Sequence, residues 1–455
     1  MRAALREILG RLEPSRWAYA ITGLGLVLRL GALFLVKDAP LDSDMRGYCS
    51  TALQLLHGET FSPFWPPGLP YFLSFFFSIW GEGELVAKAS ILVAYVAFSF
   101  FLFGLLRELT GPAPANLAIL LFAVYPAFIR YSVVPLTEMP AAACLAGVVY
   151  LGILAARKRS FGLSLAAGFL LGILVLVRSG SVLLLMIVPA FLLIKTRKPA
   201  LAALPLLAAL VLIGAWIRKA HEMTGRFVMI CEANAFNLFI GNNPYTPLYR
   251  TWPAGQAELG FPPAFLTLYR DISSKPPGER DRLYRQSAWE HIRARPDLFL
   301  ARTVNRMRTY FGFEIHRAKP LATSLETREG RELVGVALTL LNAFLYWLVV
   351  ILAILAWFTC LDPARTVEYA FVLGVAALYS LPYWLAFSSP RLNFPIVPLM
   401  AVFSAWFVQR WAETPSALLF RPVAESRKRR WGMYSALGAF AFIQVEWAVA
   451  VYLKP

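Results

Sequence analysis

Cysteine, histidine and acidic residues are all scarce in this chain of 455 residues. It has four histidines and four cysteines, Cys49, Cys144, Cys231 and Cys360, which form no CxxC pair. The cysteine spacing therefore indicates neither a zinc site nor a disulfide framework. The sequence also has no internal repeat and no glycine-rich loop of the kind that cradles nucleotide phosphates. These absences disfavour a zinc protein and a nucleotide-binding enzyme.

Acidic residues number 27 against 44 basic ones, which gives a net charge of +17. A charge of this sign is common in nucleic-acid-binding proteins. Here, however, the basic residues form short clusters between apolar segments, and 58% of the chain is hydrophobic. That arrangement is typical of a multi-pass membrane protein, and we expect no nucleic acid partner.

Hydropathy predicts eleven membrane spans. They lie at about 17–36, 85–106, 115–130, 139–156, 161–177, 179–195, 200–217, 333–358, 366–386, 394–410 and 432–452. With this number, the basic clusters near residues 2–16, 157–159, 195–198 and 410–430 all fall on one side. The positive-inside rule makes that side the cytoplasm, so the N-terminus is predicted inside and the C-terminus outside. We expect the protein in the cytoplasmic membrane, in contact with its lipids.

The predicted fold is an all-α polytopic membrane protein with a small extracytoplasmic domain. Residues 1–217 form a transmembrane core, 218–332 the outer domain, and 333–455 the C-terminal transmembrane helices. The first outer loop, about 37–84, contains an amphipathic helix near 45–57 that suits the membrane interface. A tight hairpin between the fifth and sixth spans places Arg178 at the outer surface. Two outer helices broken near Pro296 are expected to expose Arg302, Arg306 and Arg308.

Several charged and aromatic residues converge on the outer side in this topology. They are Asp44, Tyr48, Lys88, Arg130, Tyr131, Glu138, Arg178 and Arg391. Each has a structural interpretation as well. Asp44 could be a helix N-cap, Tyr48 an interfacial anchor, each arginine a snorkelling side chain, and Glu138 its ion-pair partner.

Taken together, the set suits sugar transfer from a polyprenyl phosphate. Arginines can neutralise the donor phosphate and stabilise it as it leaves. A carboxylate opposite them can take the proton of an acceptor hydroxyl as general base. Such chemistry needs no nucleotide and no organic cofactor. We expect no metal either, although the Asp-Ser-Asp stretch at 42–44 leaves that question open.

Several stretches resemble the protein O-mannosyltransferase and aminoarabinose transferase superfamily of GT-C glycosyltransferases. They are DMRGYCSTALQLLHGETFSPFWPPGLPYFL, YPAFIRYSVVPLTEMP, LVRSGSVLLL, LFIGNNP and SPRLNFPIVP, in the expected order. The resemblance implies a GT-C fold, an inverting transferase that uses a polyprenyl-phosphate-sugar donor, and Asp44 as its catalytic aspartate. The chain departs from the mannosyltransferases at Met45 and from the aminoarabinose branch at Trp65, so the donor sugar stays open.

Two other functions stay open. A transporter or flippase of a lipid-linked sugar would use the same arginines without needing a general base, and a scaffold would only bind lipid phosphate. The acceptor could be a glycan, a lipid or a protein. A disulfide between Cys49 and Cys231, both placed outside by the topology, is a further possibility.

Overall fold

The computed structural model describes residues 2–248, 262–315, 328–360 and 363–452, which form helices joined by turns. Within these ranges there is no β-strand, and the prediction of an all-α chain is confirmed. The helices up to residue 224 are α1 (Arg2–Leu12), α2 (Trp17–Val36), α3 (Ser43–Leu56), α4 (Gly68–Trp80), α5 (Glu84–Thr110), α6 (Pro112–Val124), α7 (Pro126–Arg130), α8 (Glu138–Lys158), α9 (Phe161–Val177), α10 (Leu184–Thr196) and α11 (Pro199–Thr224).

The remaining helices begin in the segment predicted to be extracytoplasmic. They are α12 (Ala233–Gly241), α13 (Pro263–Ser273), α14 (Pro277–Ala294), α15 (Pro296–Tyr310), α16 (Arg328–Thr359), α17 (Thr366–Leu385), α18 (Val397–Glu413), α19 (Ser416–Leu419), α20 (Arg421–Glu425) and α21 (Arg427–Tyr452). Short 3-10 helices cover Ser179–Leu183, Pro363–Arg365 and Pro390–Ile396. The predicted domain boundaries stay predictions, and parts of the outer segment, 249–261 and 316–327, lie outside the described residues.

Seven helical segments of the described chain are long and apolar enough to cross a membrane. They are Trp17–Val36, Glu84–Thr110, Glu138–Lys158, Ser179–Thr196, Pro199–Thr224, Leu333–Thr359 and Pro390–Glu413. All seven coincide with predicted spans, so the chain is a multi-pass membrane protein. The other four predicted spans fall on α6, α9, α17 and α21, and the count of eleven stays a prediction.

The third predicted span is wrong in its length. It was expected to run from 115 to 130, but α6 ends at Val124 after 13 residues. Pro126 has no N–H to continue the helical ladder, and the short helix α7 starts there instead. A helix of this length rises only about 20 Å, less than the ~30 Å of hydrocarbon.

Helix α8 lies at the centre of the bundle, between α5 and α9. In its most apolar stretch of 18 residues, 83% is buried, which fits a helix that is hydrophobic on all sides. Its first residue is Glu138. An acidic side chain is therefore held at the end of the most deeply packed of the seven spanning segments.

The two outer helices α14 and α15 do break at Pro296, as predicted, but the arginines of α15 do not face solvent. Arg302 and Arg306 are buried, whereas Leu300 and Val304 are exposed. The expected solvated basic face is wrong because both guanidinium groups donate to backbone carbonyls, one in the outer segment and one at the end of α17. Arg302 donates to the carbonyl of Asn243, and Arg306 to the carbonyl of Leu385.

The structure has four free cysteines, all buried. The possible disulfide between Cys49 and Cys231 is not formed. The thiol of Cys231 instead contacts the hydroxyl of Ser179 at 3.7 Å.

Candidate functional site

Asp44 lies in the first turn of α3, immediately after an unusual backbone residue. Ser43 has a φ of +36°, a left-handed conformation that L-residues with a Cβ rarely adopt. Such outliers cluster at functional sites, where the surrounding structure holds them. The N-cap position belongs to Asp42, which is in extended conformation. The interpretation of Asp44 as the N-cap is therefore wrong, and its carboxylate is directed elsewhere.

The partner of Asp44 is Arg391, which comes from the other end of the chain. Arg391 lies in the 3-10 helix Pro390–Ile396, just before α18. Its Nη1 donates to Oδ2 of Asp44 at 3.1 Å, and its Nε donates to Oε1 of Glu138. Both partners of this ion pair are about 30% exposed, at 30% and 27%. The pair is thus partly open to an incoming ligand.

Arg178 reaches the same carboxylate from a third direction. The helix α9 ends at Val177, and Arg178 itself is in extended conformation before the 3-10 helix at 179–183. The predicted break at Arg178 is therefore confirmed. Its Nη2 donates to Oε1 of Glu138 at 2.7 Å. One oxygen of a fully buried glutamate thus joins two arginines that are 213 positions apart in sequence.

The resulting chain of contacts, Asp44–Arg391–Glu138–Arg178, can form further hydrogen bonds. Oε2 of Glu138 and Nε of Arg178 have no hydrogen-bond partner within the described chain. Burial lowers the pKa of Arg178, but the charge of Glu138 and the neighbouring tyrosines together raise it more, so the pKa lies above its ordinary value. Both arginines are therefore permanently charged donors held by carboxylates, an arrangement suited to receiving an anion.

Tyr48 lies one turn after Asp44 on the buried face of α3. Its ring packs against Trp65, with the ring centroids 4.9 Å apart. Burial, followed by the negative charge of Asp44, raises the pKa of Tyr48 above its ordinary value. The phenol stays protonated and can donate a hydrogen bond near the ion-paired chain.

A second group of residues adjoins the first through aromatic packing. Tyr131 packs edge-on against Phe394, three residues after Arg391, and donates its hydroxyl to Oε1 of Glu314 at 2.8 Å. Arg130 lies 3.7 Å from the same oxygen and is 37% exposed. Burial raises the pKa of Glu314, although Arg130 and the bond from Tyr131 act in the opposite direction.

Glu314 was not predicted from the sequence. The one available signal was a lone acid among aromatic and apolar residues, FGFEI, near the end of the outer segment. Nothing local to that stretch pointed to Arg130 or Tyr131, 183 positions earlier in the case of Tyr131.

Lys88 lies apart from both groups. Its ammonium donates to the carbonyls of Val36 and Lys37, each at 3.0 Å, and to that of Ala39. It thereby satisfies carbonyls at the C-terminal end of α2. Its role as a phosphate ligand stays a prediction. No cluster of His, Cys, Asp and Glu suited to a metal occurs among the residues that the structure describes, and metal dependence stays a prediction as well.

Comparison with known proteins supports the resemblance read from the sequence. The family model described as dolichyl-phosphate-mannose-protein mannosyltransferase matches residues 65–217. The predicted resemblance is confirmed over this segment, and the match indicates a glycosyltransferase. The segment includes Arg130, Glu138 and Arg178, whereas Asp44 and Arg391 lie outside it. The comparison with curated proteins found no match.

Solved structures with some similarity include two kinds of protein. The oligosaccharyltransferase of Archaeoglobus fulgidus, in complex with zinc and sulfate, is 13% identical with a TM-score of 0.49 over 93% of this chain. This chain spans about half of that protein, 53% of its length. ArnT from Cupriavidus metallidurans bound to undecaprenyl phosphate is 13% identical with a TM-score of 0.43, covering 88% of this chain and 78% of ArnT.

Proposed function

We propose that this protein is an inverting glycosyltransferase that moves a sugar from a polyprenyl phosphate to an acceptor hydroxyl, with Asp44 as general base. The observation that carries the proposal is the chain of contacts Asp44–Arg391–Glu138–Arg178. It holds a partly exposed carboxylate beside two arginines with donor capacity to spare. The family match at 65–217 supports the same class of reaction.

The arginines receive the donor phosphate. The donor is a phosphodiester with a single negative charge, which competes for the N–H groups of Arg391 and Arg178, and charge-assisted hydrogen bonds to it are about twice as strong as neutral ones. When Arg391 turns from Asp44 to the phosphate, the carboxylate of Asp44 is released to accept the proton of the acceptor hydroxyl. Glu138 keeps both guanidinium groups in place throughout, because it is fully buried and contacts each of them.

The chemical step is a single displacement at the anomeric carbon. The acceptor oxygen forms a bond to that carbon while its proton passes to the carboxylate of Asp44. The bond between the anomeric carbon and the phosphate oxygen breaks, and the electron pair leaves with the polyprenyl phosphate. The negative charge that develops there is stabilised by Arg178 and Arg391. Attack from the opposite face inverts the anomeric configuration.

The proposed location is the outer face of the cytoplasmic membrane. The basic clusters that all fall on one side of the predicted topology support it, since that side is expected to be the cytoplasm. The acceptor is a glycan, a lipid or a protein hydroxyl that reaches this face.

The test compares two aspartates of the same short stretch. Asp44→Asn removes the base but keeps the shape, and we expect donor turnover to fall by about 10²–10⁴-fold with donor binding retained. Asp42→Asn is the matched control, because asparagine is as good an N-cap as aspartate, and turnover should stay within about twofold. Near-normal turnover in the Asp44 variant would refute the base. Lipid-linked sugar that crosses the membrane without transfer, equally in both variants, would instead identify a flippase.

A further inference from the structure

A third environment for arginine lies inside the membrane core, away from the contacts described so far. Arg29 occupies the middle of α2 and is fully buried, at 0% exposure. None of its contacts within the described chain is a carboxylate. Its guanidinium lies 3.5 Å from the ring centroid of Tyr95 and donates four hydrogen bonds to oxygen atoms. An intramembrane cation is costly, so such a residue calls for an explanation.

Two of the four acceptors are carbonyls left free by the break between α6 and α7. The carbonyl of Phe122 would normally accept from the N–H of residue 126, but Pro126 has none. The carbonyl of Ala123 would accept from Ala127, whose N–H is instead directed to Oδ1 of Asn342 at 3.3 Å. Arg29 supplies both missing donors, at 3.1 Å to Phe122 and 3.0 Å to Ala123.

The other contacts attach the far side of the break to α2. Nε of Arg29 donates to the hydroxyl of Ser132 at 2.9 Å, and Nη1 also donates to the carbonyl of Gly25 at 3.0 Å. A side chain at Gly25 would collide with the hydroxyl of Tyr95, 1.8 Å from the position of its Cβ. The close packing of α2 on α5 thus leaves Arg29 little freedom.

Arg130 and Tyr131 lie between the two attachment points. Arg29 is bonded to the chain at Ala123, near the end of α6. The chain then passes through α7 and is bonded to Arg29 again at Ser132, directly after Tyr131. Since both ends of this short segment are bonded to one rigid guanidinium, the direction in which Arg130 leaves the bundle depends on Arg29.

We propose that Arg29 is a positioning residue of the donor site, which acts by holding residues 123–132 so that the partly exposed Arg130 is presented to the donor phosphate. The inference rests on the proposed function for its kinetic consequences. Arg29 itself does not touch the donor, because four of its five N–H groups are occupied by protein oxygens and its side chain is inaccessible.

The mildest variant is Ser132→Ala, which removes the attachment to Arg29 and the bond from the Ser132 hydroxyl to the carbonyl of Phe128, and leaves the contacts of Arg29 with carbonyls intact. We expect it to raise the KM for the polyprenyl-phosphate-sugar donor by about three- to tenfold, with kcat within about twofold. Arg29→Lys keeps the charge but loses the planar fork that spans both sides of the break, so its KM should rise further. In an Arg130→Ala background, Ser132→Ala should have almost no additional effect, because it acts through Arg130.

Asn116→Ala is the matched control from the other end of α6. The Asn116 amide is buried and donates to the carbonyls of Leu12 and Pro14, so its loss costs stability in the same helix without touching residues 123–132. Its donor KM should equal that of the wild type. An equal rise of KM in Asn116→Ala, or an unchanged KM in folded Ser132→Ala and Arg29→Lys, would overturn the inference.

Hydrogen exchange of the full-length protein in detergent separates this inference from the proposed function. Peptides covering 125–132 should exchange faster in Ser132→Ala than in the wild type. In Asn116→Ala their exchange rate should equal that of the wild type. Unaltered exchange at 125–132 in Ser132→Ala would refute the positioning role even if the protein transferred no sugar. Faster exchange at 125–132 in Ser132→Ala, combined with a wild-type protein that turns over no lipid-linked sugar, would refute the proposed function alone.

Discussion

Two pairs of arginines in this protein are held by opposite kinds of partner. Arg178 and Arg391 share a carboxylate, Glu138, and Arg391 also contacts Asp44. Arg302 and Arg306 contact no carboxylate within the described chain. They are held by carbonyl oxygens of Asn243, Thr246, Gly241 and Leu385.

The two environments change the guanidinium groups differently. Burial, with a contribution from the charge of Arg302, lowers the pKa of Arg306 to about 9. At Arg178 burial acts in the same direction, but Glu138 and the neighbouring tyrosines together raise the pKa above its ordinary value. Each environment contains a nitrogen without a hydrogen-bond partner within the described chain, Nε of Arg302 in one and Nε of Arg178 in the other. This feature therefore does not distinguish the two environments. The two environments differ in the carboxylate partner and in the partial exposure of Arg391 to solvent.

The comparison indicates that buried arginines serve two purposes in one membrane protein. Carbonyl-bound arginines replace missing donors where helices break or end, and Arg29 belongs with them. Carboxylate-bound arginines keep a full charge available for a ligand. The predictions that follow test this division.

The largest effect is expected for Glu138→Gln, which removes the shared carboxylate. It leaves the buried guanidinium of Arg178 without its carboxylate partner and Arg391 with Asp44 alone, so we expect a loss of roughly 3–5 kcal/mol in the free energy of unfolding. The measurement is the unfolding midpoint in detergent. Glu222→Gln is the control, since its i,i+4 pair with Arg218 is exposed and worth little. Equal stability of the two variants would remove Glu138 as the organising charge.

Arg306→Met should have the second largest effect, on stability and not on catalysis. It keeps the apolar stem but removes the donor to the carbonyl of Gly241 and leaves the carbonyl of Leu385 with the Asn242 amide alone, at about 1–3 kcal/mol for an orphaned carbonyl. Turnover per folded molecule should stay within about twofold of the wild type. If turnover falls while the unfolding midpoint is unchanged, the carbonyl-bound pair is functional and the division is wrong.

Arg391→Lys tests the carboxylate-bound environment more gently. Lysine keeps the charge but cannot reach Asp44 and Glu138 with a planar fork, so we expect turnover to fall by about tenfold, less than in Arg391→Ala. Steady-state turnover at saturating acceptor measures this. Lysine performing as well as arginine would mean that charge alone matters at this position.

The smallest effect is expected for Glu314→Gln and depends on pH. A carboxyl whose pKa is raised on folding contributes stability that is present below its ordinary pKa and lost as pH rises through the raised value. The amide cannot ionise, so the variant should lose less stability than the wild type as pH rises above the ordinary carboxyl pKa. Identical pH profiles of the thermal midpoint would show that Glu314 titrates normally.

The sequence predicted the residues of the site better than their arrangement. Asp44, Glu138, Arg178 and Arg391 were chosen because the topology put them on one side, and the structure brings all four into contact. The break at Arg178 was predictable because a charge in an apolar run is costly. The break at Pro126 was missed because the apolar pattern continues through it. The inward turn of Arg302 and Arg306 was missed because periodicity reports which residues share a face and not which oxygens that face meets.

The central claim is that Arg178 and Arg391 hold one donor phosphate beside Asp44. The most direct measurement is the affinity for polyprenyl phosphate of Arg178→Ala, Arg391→Ala and the double variant. Each single change should weaken binding by about ten- to a hundredfold, because a charge-assisted hydrogen bond is worth roughly 1.5–3 kcal/mol. The fold-loss of affinity in the double variant should be smaller than the product of the two single fold-losses, because both arginines contact the same ligand. Wild-type affinity in both single variants would contradict a shared phosphate site. So would a double variant whose fold-loss of affinity equals the product of the two single fold-losses.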